Sequence, residues 1–184
     1  MDNLPTKKYG VIYADPPWLF KTRSDKGKDR SPEKHYPVLS LADICAMGVG
    51  DIAKPDSVLL MWVCDPMLDQ AFKVINAWGF KYKTVGFTWA KTNKNTLGFF
   101  TGLGYWTRGN PEMCLLATKG KPKRVSSSVH QIIYEPIESH SKKPNCVRDK
   151  IVELCGDLSR IELFARQKTK GWDVWGNEVG RWSA

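Results

Sequence analysis

The run Val11-Ile12-Tyr13-Ala14 breaks off at Asp15-Pro16-Pro17-Trp18, and no other junction in the chain restricts its fold so strongly. A β-branched and aromatic run of this kind reads as a buried strand. Two successive prolines then stop the hydrogen-bonded ladder, because neither carries an N–H. In open α/β sheets ligands gather at the carboxyl ends of the strands. Asp15, the Pro16 carbonyl and Trp18 therefore stand where chemistry is expected.

The remainder of the chain alternates strand and helix signals, which predicts an α/β fold around a mostly parallel sheet. Ser57 to Val63 reads as a second strand. Asp65 and Pro66 open a helix in which Leu68, Ala71, Phe72, Ile75 and Trp78 recur at helical spacing up to Gly79. Ser40 reads as the N-cap of a short helix. Strands are expected at Lys81 to Trp89, Glu112 to Thr118, Ile132 to Tyr134 and Arg160 to Phe164. Pro144 and Asn145 introduce a further helix that runs through Leu154. At 184 residues, with no internal repeat and no dividing linker, the chain reads as one domain over 1–184.

Charge narrows the partners. The formal net charge is +9, and the excess is clustered. Lys21 to Lys34 holds six basic and three acidic residues, and Lys119 to Arg124 holds four basic and none acidic. Such clusters are the electrostatic footprint of phosphate-backbone binding. Lys121, Lys123 and Arg124 are thus candidate nucleic-acid contacts. So are Trp106 and Arg108, in the Gly-, Thr- and Asn-rich loop from Asn93 to Asn110. Tyr36, at the end of the first basic loop, is a candidate wall for a base pocket.

Other classes recede. The longest apolar run, Val58 to Cys64, is far below the roughly 20 residues of a membrane span. Met1 to Lys8 is polar and lacks a secretory pattern, so a soluble, cytoplasmic protein is expected. The cysteines at 45, 64, 114, 146 and 155 form no close metal-binding pair and read as reduced core thiols. No metal is expected.

The tetrapeptide's chemistry suits an exocyclic amine. The lone pair of a nucleobase amine is delocalised into its ring. A carboxylate accepting one amine hydrogen, and a backbone carbonyl accepting the other, would localise that lone pair on nitrogen. The Trp18 indole could stack on the base.

Asp-Pro-Pro-Trp behind a hydrophobic strand resembles the signature of the MT-A70-like family of S-adenosylmethionine-dependent adenine-N6 methyltransferases. Further matches follow in order: Leu60-Met61-Trp62-Val63, Trp89-Ala90-Lys91-Thr92-Asn93, Glu112-Met113-Cys114-Leu115, Ser139-His140-Ser141-Lys142-Lys143-Pro144, Ile161-Glu162-Leu163-Phe164-Ala165-Arg166 and Gly176-Asn177-Glu178. The resemblance covers about residues 9 to 180. It implies a Rossmann-like sheet with flanking helices and the permuted, β-class motif order. It implies Asp15, Pro16, Pro17 and Trp18 as catalytic residues, with Lys91 on the substrate side. It implies S-adenosylmethionine held by Glu162 and Arg166 at the sugar, Asn177 and Glu178 at the adenine, and Lys143 near the methionine end. No glycine-rich loop follows Phe164, a departure that the family shares.

The expected activity is methyl transfer to adenine N6 in nucleic acid; the chain shows neither an RNA-binding appendage nor an obvious target-recognition domain, and DNA is favoured over RNA. The alternatives are an RNA adenine-N6 methyltransferase and an inactive nucleic-acid-binding partner subunit. The intact acidic tetrapeptide opposes the latter. Exposed aromatics such as Trp106 and Trp182 leave room for a homodimer.

Overall fold

The computed structural model describes residues 3–19, 38–139 and 141–180. Tyr36, the basic cluster from Lys21 to Lys34, His140 and Trp182 lie outside the described residues. Seven strands form one sheet: β1 (Tyr9–Ala14), β2 (Ala53–Val63), β3 (Lys81–Thr92), β4 (Pro111–Lys119), β5 (Ile132–Pro136), β6 (Arg160–Leu163) and β7 (Asp173–Trp175). Their spatial order is β5-β3-β4-β2-β1-β6-β7. Every pairing is parallel except the two made by β4, which runs against both β2 and β3. The expected α/β, Rossmann-like fold with a mostly parallel sheet is what the chain adopts.

β1 is central, and all six of its residues are buried. Helices cover both of its faces. Ile12 and Ala14 point to the side where α2 (Leu68–Ala77) brings Ala71, Val74 and Ile75, and where α1 (Leu41–Ala46) brings Ile44. Val11 and Tyr13 point to the other side, where α3 (Cys146–Cys155) brings Val147, Ile151 and Cys155. Period-two alternation in β1 therefore feeds two separate apolar layers.

Local signals explain the element ends. Ser40 caps α1, its side chain accepting a hydrogen bond from the Asp43 N–H at 3.1 Å. Asp65–Met67 forms a single 3-10 turn before α2 begins, so the helix starts three residues later than Asp65-Pro66 suggested. Gly79 ends it in the left-handed region at φ 78. Trp78 ties the end of α2 to α1 through a 2.8 Å hydrogen bond from its indole to the Ile44 carbonyl.

The topology decides where a ligand can lie. From β1 the chain moves outward to β2, whereas from β6 it moves the opposite way to β7. The crevice between the carboxyl ends of β1 and β6 is a topological switch point. Asp15 follows β1 there, and Phe164 to Arg166 follow β6.

Candidate active site

Four charged side chains cross the carboxyl rim in an unbroken line. Lys91, at the end of β3, meets Glu112 at 2.9 Å; Glu112 meets Lys143 at 2.9 Å; Lys143 meets Asp15 at 2.8 Å. Glu112 spends one carboxylate oxygen on each lysine. It stands near the start of β4, and it reaches this rim because β4 is antiparallel to its neighbours. Lys143 is buried at 8% exposure while Asp15 keeps 27%. Asp15 is thus the most exposed member of the line, followed by Lys91 at 22%.

The environment separates the two carboxylates. Burial pushes Asp15 above the ordinary aspartate range, although the Lys143 charge opposes it. Burial pushes Glu112 the same way, but there the charges of Lys143 and Lys91 win and bring it down to about 2. Burial would lower Lys143, yet Asp15 and Glu112 together hold it above the usual lysine range. Glu112 is a permanent anion that anchors Lys143. Asp15 is the carboxylate poised to exchange hydrogens. Cys64 stands beside this line with its thiol pushed up to about 12, chiefly by burial, and so stays protonated.

The tetrapeptide departs from expectation at its last residue. Trp18 is only 5% exposed and belongs to the core, its indole donating to the Trp62 carbonyl at 3.1 Å. The open stacking platform expected of it is corrected: the ring is a pillar that fixes the turn. The Pro16 carbonyl accepts the Trp18 N–H at 2.9 Å, and the Pro17 carbonyl accepts the Leu39 N–H at 3.0 Å. A carbonyl has two lone pairs, so Pro16 retains one acceptor position beside Asp15.

Around the crevice, the turns after β6 and β7 touch. A Cβ at Gly176 would lie 2.7 Å from the Ala165 carbonyl oxygen, so only glycine fits this approach. Arg166 pairs with Glu178 at 3.0 Å across those turns, and Asn177 is exposed between them. Glu162 lies deeper, on the α3 face of β6 and level with Tyr13 of β1. It is 7% exposed, and Arg148 bonds both of its oxygens at 2.7 Å. The expected sugar contact at Glu162 would have to share a carboxylate already held twice. The guanidinium, amide and carboxylate at 166, 177 and 178 form a donor and acceptor set that fits an adenosine-bearing cofactor.

The substrate-side candidates divide. Lys91 is in the charged line. Trp106 and Arg108 are exposed on the loop that rises between Lys91 and Glu112, and Trp106 is 92% exposed with φ 70. Asn110 pins the base of that loop through a 2.9 Å hydrogen bond to the Lys91 carbonyl and another to the Phe100 carbonyl. Lys121, Lys123 and Arg124 are elsewhere. They follow Lys119, which pairs with Ser57 near the start of β2, whereas Met113 pairs with Val63 at its end. The second basic cluster, a candidate nucleic-acid contact, thus occupies the opposite end of the sheet from Asp15.

Glu112 and Arg148 were not singled out as site residues from sequence. Glu112 had a signal, an acidic residue within a matched motif. Arg148 had none, because a helical arginine with a partner on a distant strand looks like any surface arginine.

Comparison with known proteins is consistent with this geometry. A family model described as MT-A70 matches residues 9–178. The chain is 36% identical over 193 residues to the Type II methyltransferase M.MunI of Mycoplasma sp, covering 96% of this chain and 80% of that protein. It is 27% identical over 176 residues to the human N(6)-adenosine-methyltransferase catalytic subunit METTL3, covering 94% of this chain but 28% of that protein. An N(6)-adenosine-methyltransferase MT-A70-like protein of Arabidopsis thaliana is 26% identical over 182 residues, with 24% of its length covered.

Proposed function

The chain belongs to the MT-A70 family, and on that premise we propose that it transfers a methyl group from S-adenosylmethionine to the N6 amine of adenine in DNA. One observation carries the reading: a partly exposed carboxylate, Asp15, held at the topological switch point by a buried lysine.

S-adenosylmethionine supplies an electrophilic methyl group on a sulfonium. The chain's own groups do the remaining work. Asp15 accepts a hydrogen of the amine, and the Pro16 carbonyl receives the other, so that the lone pair is directed out of the ring plane. On receiving a methyl group from the cofactor the amine would have to shed a proton. Asp15, raised by burial, takes it more readily than Glu112. Because the leaving thioether is neutral, alignment dominates; orientation of this kind can supply about 7–11 kcal/mol of a barrier. Arg166, Asn177 and Glu178 hold the adenosine end. Lys143, committed to Asp15 and Glu112, orders the acid.

DNA is favoured over RNA by the greater likeness, in identity and in length covered, to the Type II methyltransferase. The target adenine must leave its stack to reach Asp15, and Trp106 and Arg108, exposed on the 93–110 loop, would contact the nucleic acid around it. Site-specific methylation, a homodimeric state and the permuted motif order belong to the same proposal. No described helix is long and apolar enough to cross a membrane.

The test is the variant Asp15→Ala. It should lose methyl transfer to adenine-containing DNA while still binding S-adenosylhomocysteine in calorimetry. Full turnover by this variant would overturn the assignment.

A further inference from the structure

Apart from the charged rim, the described residues bury another ion pair near the carboxyl end of the sheet. Arg148 is 6% exposed and Glu162 is 7% exposed. Their contact is a two-pronged fork, Nε to Oε2 and Nη2 to Oε1, each 2.7 Å. A third guanidinium nitrogen donates to the Asn145 side chain at 3.2 Å, and Gln167 donates to the same oxygen at 3.1 Å. The guanidinium also lies over the Tyr13 ring at 5.8 Å.

What this pair adds to the fold is direction. The other buried α3 side chains that meet the sheet, Val147, Ile151 and Cys155, are apolar. Apolar contact holds a helix against a sheet but tolerates sliding along its axis. A fork between a planar guanidinium and a carboxylate admits one geometry. Burying such a pair gives little net stability, and its best-attested use is to set register.

The register matters because of what precedes the helix. Lys143 lies five residues before Arg148, and its ammonium grips Asp15. The two ends of this device also communicate through packed side chains. Tyr13, under Arg148, accepts a 2.6 Å hydrogen bond from the Trp62 indole, and Lys143 sits 5.6 Å above the Trp62 ring. Glu162, Arg148, Tyr13, Trp62, Lys143 and Asp15 thus form one packed column beneath the reactive carboxylate.

We propose that Arg148 and Glu162 are positioning residues for Asp15: their fork fixes the axial seat of α3 on β6, and the seated helix places Lys143 and so the Asp15 carboxylate. This rests on the reading that Asp15 receives the adenine amine. It differs from the role implied by family resemblance, in which Glu162 serves the cofactor's sugar.

The two roles separate experimentally. The double variant R148M/E162M replaces the pair with flexible apolar chains and should fold, since buried ion pairs are often exchanged for apolar ones without loss. It should bind S-adenosylhomocysteine in calorimetry within about threefold of the parent, as expected for a site it does not touch. Its kcat for adenine methylation should fall by about 100-fold with KM for S-adenosylmethionine unchanged, the scale of a misplaced reacting group. The variant R148K keeps the charge without the fork and should give an intermediate kcat; it also serves if the double variant does not fold. A large loss of S-adenosylhomocysteine affinity in either variant would assign the pair to the cofactor site and overturn the proposal. Unchanged kcat would reduce the pair to a fold contact and overturn it equally. Failure of the parent protein itself to bind S-adenosylhomocysteine would instead remove the functional reading beneath it.

Discussion

Asp15 and Glu112 are both carboxylates touched by the same ammonium, yet they are tuned in opposite directions. The difference lies in the ion pairs: Glu112 is in direct contact with two lysines, whereas Asp15 contacts Lys143, feels Arg166 only as a weaker charge and is raised by Glu112 itself. Removing the Glu112 charge should therefore affect stability in a pH-dependent way. Its folded-state value of about 2 lies below the ordinary 4.5, so its stabilisation is complete above about 4.5 and is lost as pH falls toward 2. The variant E112Q should be less stable than the parent at neutral pH, by roughly 1–3 kcal/mol, and denaturant melts should converge as the pH is lowered across that window. A constant gap would show that Glu112 acts through packing alone. Asp15 behaves oppositely in activity: because its proton is lost at higher pH than an ordinary aspartate, the parent's kcat should climb with pH along an acid limb displaced above the usual aspartate range, and a flat profile there would remove Asp15 from the proton transfer. At this scale the sequence revealed the tetrapeptide, whose chemistry is written in adjacent residues; family resemblance named Lys143 for the cofactor's methionine end, and its grip on Asp15 spans 128 residues of chain. The sequence concealed the burial of Trp18 and the pairing of Arg148, because both are consequences of partners brought from residues 62 and 162.

Among the elements, the strands β1 to β6 and the three helices lie where apolar periodicity placed them, with ends shifted by a few residues. β2 begins at Ala53 instead of Ser57, since Lys54, Pro55 and Asp56 extend the strand with exposed side chains that carry no apolar signal. β7 was not foreseen. Its three residues, Asp173-Val174-Trp175, are too few to show alternation, and they become a strand only by pairing with β6. The direction of β4 was equally hidden, because strand patterning has no polarity. The loop over 93–110 was legible as a loop, and the structure gives it a rigid frame. Gly102 donates to the Gly109 carbonyl at 2.7 Å, and a Cβ at Gly104 would lie 2.0 Å from the Thr107 carbonyl oxygen. Trp106 is held outward at the tip of this frame. The variant W106A should lower methylation of duplex DNA several-fold more than that of a single strand with the same sequence, because only the duplex target has to be unstacked. Equal effects on the two substrates would mean that the ring does not assist unstacking.

For the molecule as a whole, composition suggested a basic protein for an acidic polymer, and that remains sound as electrostatics. What composition could not supply was location. The cluster ending in Lys121, Lys123 and Arg124 lies a full β4 strand away from Asp15, and nine residues of strand span about 30 Å. A short duplex seated at Asp15 does not reach it. The triple variant K121Q/K123Q/R124Q should leave kcat and KM on a short duplex unchanged at fixed salt; a clear rise in KM there would show that the DNA path runs the length of the sheet.

The reversal of β4 has one more effect. Lys91 and Glu112 are the two feet of the 93–110 loop, and they are bolted together by their own ion pair and by Asn110. Changes of length in the loop beyond Phe100 would leave the Lys91–Glu112 pair, and through Lys143 the seat of Asp15, in place. The enzyme carries an interchangeable bit in a fixed chuck.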